Sequence, residues 1–143
     1  IVASLNTPYY TEFFFETQKL GIDKKIRWLG SQSHQELVYL YNACTLFIFP
    51  SLYEGFGLPP LEAMACGAPV ITSNTSSLPE VAGNAALLVD PYNESEIANA
   101  IERLLTDEQL RQECITKGLI QSKRFSWENT ARQFLNLVDT LSS

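Results

Sequence analysis

The sequence has one histidine, His34, and only three cysteines, Cys44, Cys66 and Cys114, which stand far apart. No C-x-x-C pair and no Cys/His spacing suited to zinc occurs, so a zinc centre has no ligand set. Three scattered thiols also provide no disulfide framework. Each lies in an apolar or helical pattern and reads as a small buried hydrophobe in a reducing, cytoplasmic setting. Positive charge is scarce: 10 Lys and Arg face 16 Asp and Glu, for a net charge of −6. That balance excludes binding to nucleic acid or anionic lipid by bulk electrostatics. It leaves room for a small anion, because backbone amides at a helix start bind phosphate without basic side chains. Long apolar runs are missing as well. The longest, near Leu46–Pro50, has strand length, and neither a signal peptide nor a membrane span is expected. The chain opens abruptly at "IVAS", without Met, and is expected to be a piece of a longer protein.

What is present is a globular composition. With 143 residues, 45% of them hydrophobic, the chain is long enough for one domain with a sizeable core and too apolar for disorder. Short apolar runs read as strands: "IVAS" (1–4), "IRWL" (26–29), "TLFIF" (45–49), "PVIT" (69–72) and "ALLV" (86–89). They are continuous rather than alternating, as strands covered on both faces should be. Helical patterns fall between them over Tyr9–Leu20, His34–Cys44 and Pro59–Cys66. Gly21 and Gly67 act as stops, and Ser33 with Glu36 forms a capping box. Repeated strand–helix–strand units predict the α/β class, with an open, mostly parallel Rossmann-like sheet. After residue 92 three helices are expected, the first of them amphipathic. The first carries Ile97, Ile101, Leu104 and Leu105 on one face, the second is capped by Thr106 or Asp107, and the third is capped by Ser126 and carries Ala131, Phe134, Leu135 and Val138 at helical spacing. All three are predicted to pack on the sheet and close the domain, so that 1–92 forms the β/α core and 93–143 the helical part.

The stretch from Ser51 to Asn74, "SLYEGFGLPPLEAMACGAPVITSN", carries the chemistry. It follows a predicted strand and places a glycine loop ahead of a helix, where ligands bind in open α/β sheets. Gly55 and Gly57 permit close backbone approach, and the helix beginning near Leu58 directs its N–H groups and positive dipole end at the same place. Glu54 and Glu62 stand on either side. An ionised carboxylate accepts hydrogen bonds from adjacent hydroxyls, so the pair suits a sugar and a ribose flanking a diphosphate. Read more plainly, the glutamates are dipole-complementing surface residues and Gly-Phe-Gly is a turn.

"PSLYEGFGLPPLEAMACGAPVITSN", with "SSLPEVAGNAALLVDP" and "FSWENTA", resembles the C-terminal domain of retaining, family 4 glycosyltransferases of GT-B architecture. The likeness covers nearly the whole chain, and Glu54 and Glu62 have the spacing of that family's E-x7-E hallmark. The resemblance implies a domain that binds a nucleoside-diphosphate sugar. Glu54 would contact the donor hexose as the catalytic carboxylate, and the amides of Gly55, Phe56, Gly57 and Leu58 would face sugar and diphosphate. Glu62 would hold the ribose, and Gly30 and Gln32 of "WLGSQS" would lie at the nucleobase. Glu80 is read as structural. No cofactor or metal is implied. GDP-mannose is favoured as donor, with UDP- and ADP-sugars as alternatives.

The chain also departs from the pattern. Ser76-Ser77 replaces a frequent Gly-Gly. The opening strand and loop, with an Arg and a Lys for the diphosphate, do not precede Ile1, and the N-terminal acceptor-binding domain is expected to lie outside the chain. "IVAS" would then be the second strand of the sheet, leaving a gap or an exchanged strand and a dimer through that edge. The fragment alone is expected to be inactive, and the whole protein cytoplasmic or at the cytoplasmic face of a membrane. A non-catalytic nucleotide-sugar-binding module, or another GT-B-like enzyme such as an epimerase, remains as an alternative.

Other residues read plainly. His34 is a helix-start or surface histidine, and "SKRF" (122–125) complements a helix end. Trp127 is expected to anchor the last helix. Of the three consecutive phenylalanines at 13–15, at least one must be exposed, or covered by a further segment or partner.

Overall fold

The computed structural model of the chain describes residues 8–141. The predicted strand at 1–4, and the gap or exchange inferred from it, lie outside the described residues. Two compact units divide the chain, Ile1–Leu37 and Val38–Ser143.

In the first unit, helix α1 (Pro8–Lys19) is followed by a 3₁₀ turn at Asp23–Lys25. Gly21 stops α1 as expected. At φ 69° it donates its N–H to Gln18 O (3.0 Å), while Ile22 N–H reaches back to Thr17 O (3.0 Å). That pair of bonds satisfies the last carbonyls of the helix in a Schellman motif. The predicted strand at 26–29 is not formed. A strand needs a neighbouring strand to pair its backbone, and no strand among the described residues pairs with this segment. Ring contacts hold it instead: the Trp28 indole stands edge-on to Tyr10 (4.9 Å between ring centroids) and Phe13 (5.2 Å). Successive helical residues point about 100° apart, so the three phenylalanines cannot share a face. Phe13 and Phe15 are indeed exposed.

Helix α2 (His34–Ala43) opens with the predicted capping box. Ser33 N–H donates to Glu36 Oε2 (2.7 Å) and Glu36 N–H to Ser33 Oγ (3.3 Å). The Ser33 hydroxyl also donates to Glu36 Oε2 (2.6 Å), and this bond, together with the one from the Ser33 amide, lowers the pKa of Glu36. His34 is exposed.

The sheet consists of β1 (Phe47–Phe49), β2 (Val70–Ser73) and β3 (Ala86–Val89), all parallel and in the order β1-β2-β3. Helix α3 (Leu58–Ala65) joins β1 to β2, and the short α4 (Leu78–Ala82) joins β2 to β3. The open parallel α/β sheet is the predicted class. α4 was not foreseen, because five residues are too few to show a period. Beyond β3 come α5 (Glu94–Thr106), α6 (Glu108–Ser122) and α7 (Trp127–Leu141). Asn93 caps α5 by accepting Glu96 N–H, and Asp107 caps α6 by accepting Leu110 N–H. Ser126 caps α7 by accepting Asn129 N–H.

α3 packs on β1, β2 and α6, while α5 packs on β2 and β3. Ile71, Val89, Ala100, Leu104 and Cys114 form the core between sheet and helices, with Ile97 and Ile101 against it. Fully burying each larger side chain contributes about 1.5–3 kcal/mol. Leu105 departs from the predicted stripe: it is exposed, being about 100° around the helix from buried Leu104. A larger correction concerns α7. Its stripe residues Phe134, Leu135 and Val138 are exposed, and Trp127 is 86% exposed rather than an anchor. Helical spacing creates an apolar face but does not supply a surface to bury it, and among the described residues none covers this one.

α3 and α6 meet closely at Gly118, where a Cβ would sit 3.3 Å from Met64 Cβ and Cγ. Met64 is fully buried and cannot retreat. Gly118→Leu is therefore expected to destabilise the chain by about 1–3 kcal/mol through overpacking. Urea unfolding of the two proteins measures it, and an unchanged midpoint would contradict this packing.

Candidate functional site

β1 and β2 run parallel in register, Phe49 opposite Thr72, so the segments leaving their carboxyl ends start side by side. One is the loop from Pro50 to Gly57, and the other is Asn74–Ser77. Thr72 Oγ1 donates to Phe49 O (3.0 Å) at the point where they diverge.

Further out, hydroxyls tie the two loops together. Thr75 Oγ1 donates to Leu52 O (3.2 Å), and Glu54 N–H donates to Ser76 Oγ (3.1 Å). The Ser77 hydroxyl is shared between Glu54 O (2.9 Å) and Phe56 O (2.7 Å). Ser51 Oγ donates to Glu54 Oε1 (2.9 Å), which fixes that half-buried carboxylate against its own loop. The Phe56 ring stands edge-on to Phe125 (5.8 Å).

Beyond Glu54 the donors change character. Among the described residues, the N–H groups of Gly55, Phe56, Gly57 and Leu58 have no acceptor; the first bond of α3 is Leu61 N–H to Gly57 O (3.4 Å). Here the sequence expectation needs refining. Pro59 and Pro60 occupy the first turn and have no N–H, so the helix itself offers only the Leu58 amide and the loop provides the rest. These four consecutive acceptor-free amides stand at the positive end of the α3 dipole. Gly57 is the glycine that this backbone requires. Its φ is 109°, and a Cβ would lie 2.8 Å from Leu78 Cδ2. Gly55 is different: a Cβ there meets nothing within 4 Å.

Glu62 lies four residues after Leu58, on the same helical face and about 6 Å along the axis. Its carboxylate is half-buried, and the Tyr41 hydroxyl donates to Oε2 at 3.5 Å. Burial, and then the neighbouring Glu62 charge, push the Tyr41 phenol up to about 12. Gly30 and Gln32 belong to the other unit, Ile1–Leu37. Gly30 is buried, and the Gln32 side chain folds back to donate to Leu29 O and Ser31 O. Glu80 is exposed in the first turn of α4. All three cysteines are free, and burial raises the pKa of Cys44 and Cys114, which keeps both thiols neutral. Among the described residues no cluster of His, Cys, Asp and Glu could hold a metal ion, and no helix is long and apolar enough to cross a membrane.

Sequence reasoning missed Tyr41, Ser51 and Thr75. The signal for Thr75 was present in the hydroxyl-rich run after β2, whose meaning depends on which loop lies beside it.

A parallel sheet with an amide-lined loop at its carboxyl edge defines a Rossmann-like α/β domain. The chain belongs to the family of group 1 glycosyl transferases, whose family model matches residues 6–121. It is 50% identical over 116 residues to O-antigen chain mannosyltransferase B of Escherichia coli, a match that covers 81% of this chain and 30% of that protein. The chain thus spans less than a third of that relative's length. Among solved structures, sucrose-phosphate synthase from Thermosynechococcus elongatus superposes with a TM-score of 0.83 at 32% identity, covering 93% of this chain and 34% of the synthase. HepE from Anabaena, in complex with UDP and glucose, superposes with a TM-score of 0.85 at 24% identity, covering 97% of this chain and 39% of HepE, and shows the shared fold.

Two outcomes follow from the geometry. Gly57→Ala is expected to destabilise the chain by about 2 kcal/mol or more, from positive φ and the clash with buried Leu78. A thermal melt within error of the parent would contradict it. The second concerns alkali. The folded chain holds the Tyr41 phenol neutral, so its contribution is complete below the unfolded pKa of about 10. It is lost as pH rises through the folded value of about 12. Urea unfolding from about pH 9 to about pH 12 should therefore show a shallower loss of stability for Tyr41→Phe than for the parent. Equal slopes would mean that the phenol is not held neutral.

Proposed function

We propose that this chain is the donor-binding domain of a glycosyltransferase that moves a hexosyl group from a nucleoside-diphosphate sugar, with retention of anomeric configuration. The observation that carries this reading is the run of four acceptor-free amides at Gly55–Leu58 between two glutamates. Departure of the diphosphate concentrates negative charge on its oxygens, and preorganised N–H groups stabilise that charge without having to reorient. Glu54, held by Ser51, accepts hydroxyls of the hexose and acts as the catalytic carboxylate. Glu62 accepts those of the ribose. Residues 1–92 are read as the β/α part of this domain and 93–143 as its helical part. The acceptor site belongs to the remaining two-thirds of a protein of the relatives' length.

The 50% identity to a protein named as a mannosyltransferase supports GDP-mannose as donor, whereas the UDP bound in HepE supports a uridine donor. Three free thiols suit a reducing, cytoplasmic location.

Calorimetric titration of the full-length protein with GDP, UDP and ADP tests the reading. Saturable binding is expected, strongest for GDP. Glu62→Ala should weaken it by at least about tenfold, since hydrogen bonds to a charged group are lost. Absence of binding at about millimolar nucleotide, a level at which even weak specific sites fill, would overturn it.

A further inference from the structure

We infer that Thr75, Ser76 and Ser77 are positioning residues, a hydroxyl clamp that sets the loop 52–58 for a diphosphate sugar without contributing to the grip on the nucleoside. The inference rests on the donor-domain reading and deepens it.

Ser76 has φ 52° and is the only non-glycine among the described residues with positive φ. A left-handed backbone disfavours any side chain, and glycine would adopt it freely. The side chain present there is nonetheless engaged: its Oγ accepts Glu54 N–H at 3.1 Å. That bond defines where the free amides begin. Glu54 N–H is occupied, and the acceptor-free run starts at Gly55. On either side, Thr75 holds Leu52 O, and Ser77 holds Glu54 O and Phe56 O. Carbonyls engaged in this way cannot turn toward an incoming anion, so the peptide planes stay oriented with N–H groups available. Three consecutive hydroxyl residues thereby restrain three backbone carbonyls and one amide of a loop more than 20 residues away in sequence. Glu62 is not part of this network. It sits on α3 beside Tyr41.

Splitting the ligand tests the clamp. Full-length protein and its Ser76→Gly, Ser77→Ala and Ser77→Thr variants are titrated with GMP and GDP, and with UMP and UDP in parallel. Ser76→Gly removes the hydroxymethyl side chain while suiting the left-handed backbone, so a loss of binding reports the lost hydroxyl bond rather than added strain. It and Ser77→Ala should each weaken diphosphate binding by about five- to tenfold, the worth of one hydrogen bond, while monophosphate binding stays within about twofold. Ser77→Thr keeps the hydroxyl and should retain the parent's diphosphate affinity. Equal loss for mono- and diphosphate would make the clamp a general structural element and overturn the inference, as would unchanged binding in folded variants. If Ser77→Ala fails to fold, the Ser76→Gly comparison decides. A parent that binds none of the four nucleotides would overturn the donor-domain reading and the clamp together, which separates that failure from failure of the clamp alone.

Discussion

The parallel pairing of β1 with β2 is the constraint on which the site depends. Parallel neighbours place their carboxyl ends at one edge, so the two segments that leave them emerge together. The Glu54 loop has little regular structure of its own. It keeps its shape because Asn74–Ser77 runs beside it and supplies hydroxyls to its backbone. Shift β2 by one residue and its side chains exchange faces, and the hydroxyl partners are lost.

From that edge the arrangement builds in layers. α3 begins where the loop ends, so the acceptor-free amides directly precede its positive dipole end. Beneath it, Met64 and Leu61 bury the helix, and Leu78 packs against Gly57 so tightly that no side chain fits there. The core around Ile71 and Leu104 holds the sheet that carries the loops. The order of the site is thus supported by apolar burial below and by hydroxyl bonds at its rim. Burial supplies most of the free energy, while the directional bonds decide which amides remain available.

Much of this was legible beforehand, for local reasons. The three described strands, the capping box at Ser33 and Glu36, and the stop at Gly21 each follow from side chains acting within a few residues. The segment Glu54–Glu62 stood out because two carboxylates, two glycines and two prolines are unusual neighbours in an apolar stretch. Other features were not legible. The apolar run at 26–29 has strand composition but pairs with no strand among the described residues, and pairing is a property that composition does not carry. α7 has a clear apolar stripe, yet the surface that such a stripe requires is not among them.

What the sequence by itself determined is the alternation of elements, their caps, the positions of the two glutamates and the left-handed turn that only glycine can make at Gly57. These depend on backbone propensity and on spacing, which act locally. Tertiary structure decided which loops became neighbours. Thr75, Ser76 and Ser77 are ordinary polar residues in the linear chain, and Tyr41 is one more aromatic on a helix. They gain a role because strand pairing and helix packing bring them within hydrogen-bond distance of groups about 20 residues away in sequence, and that proximity is not encoded in any short stretch.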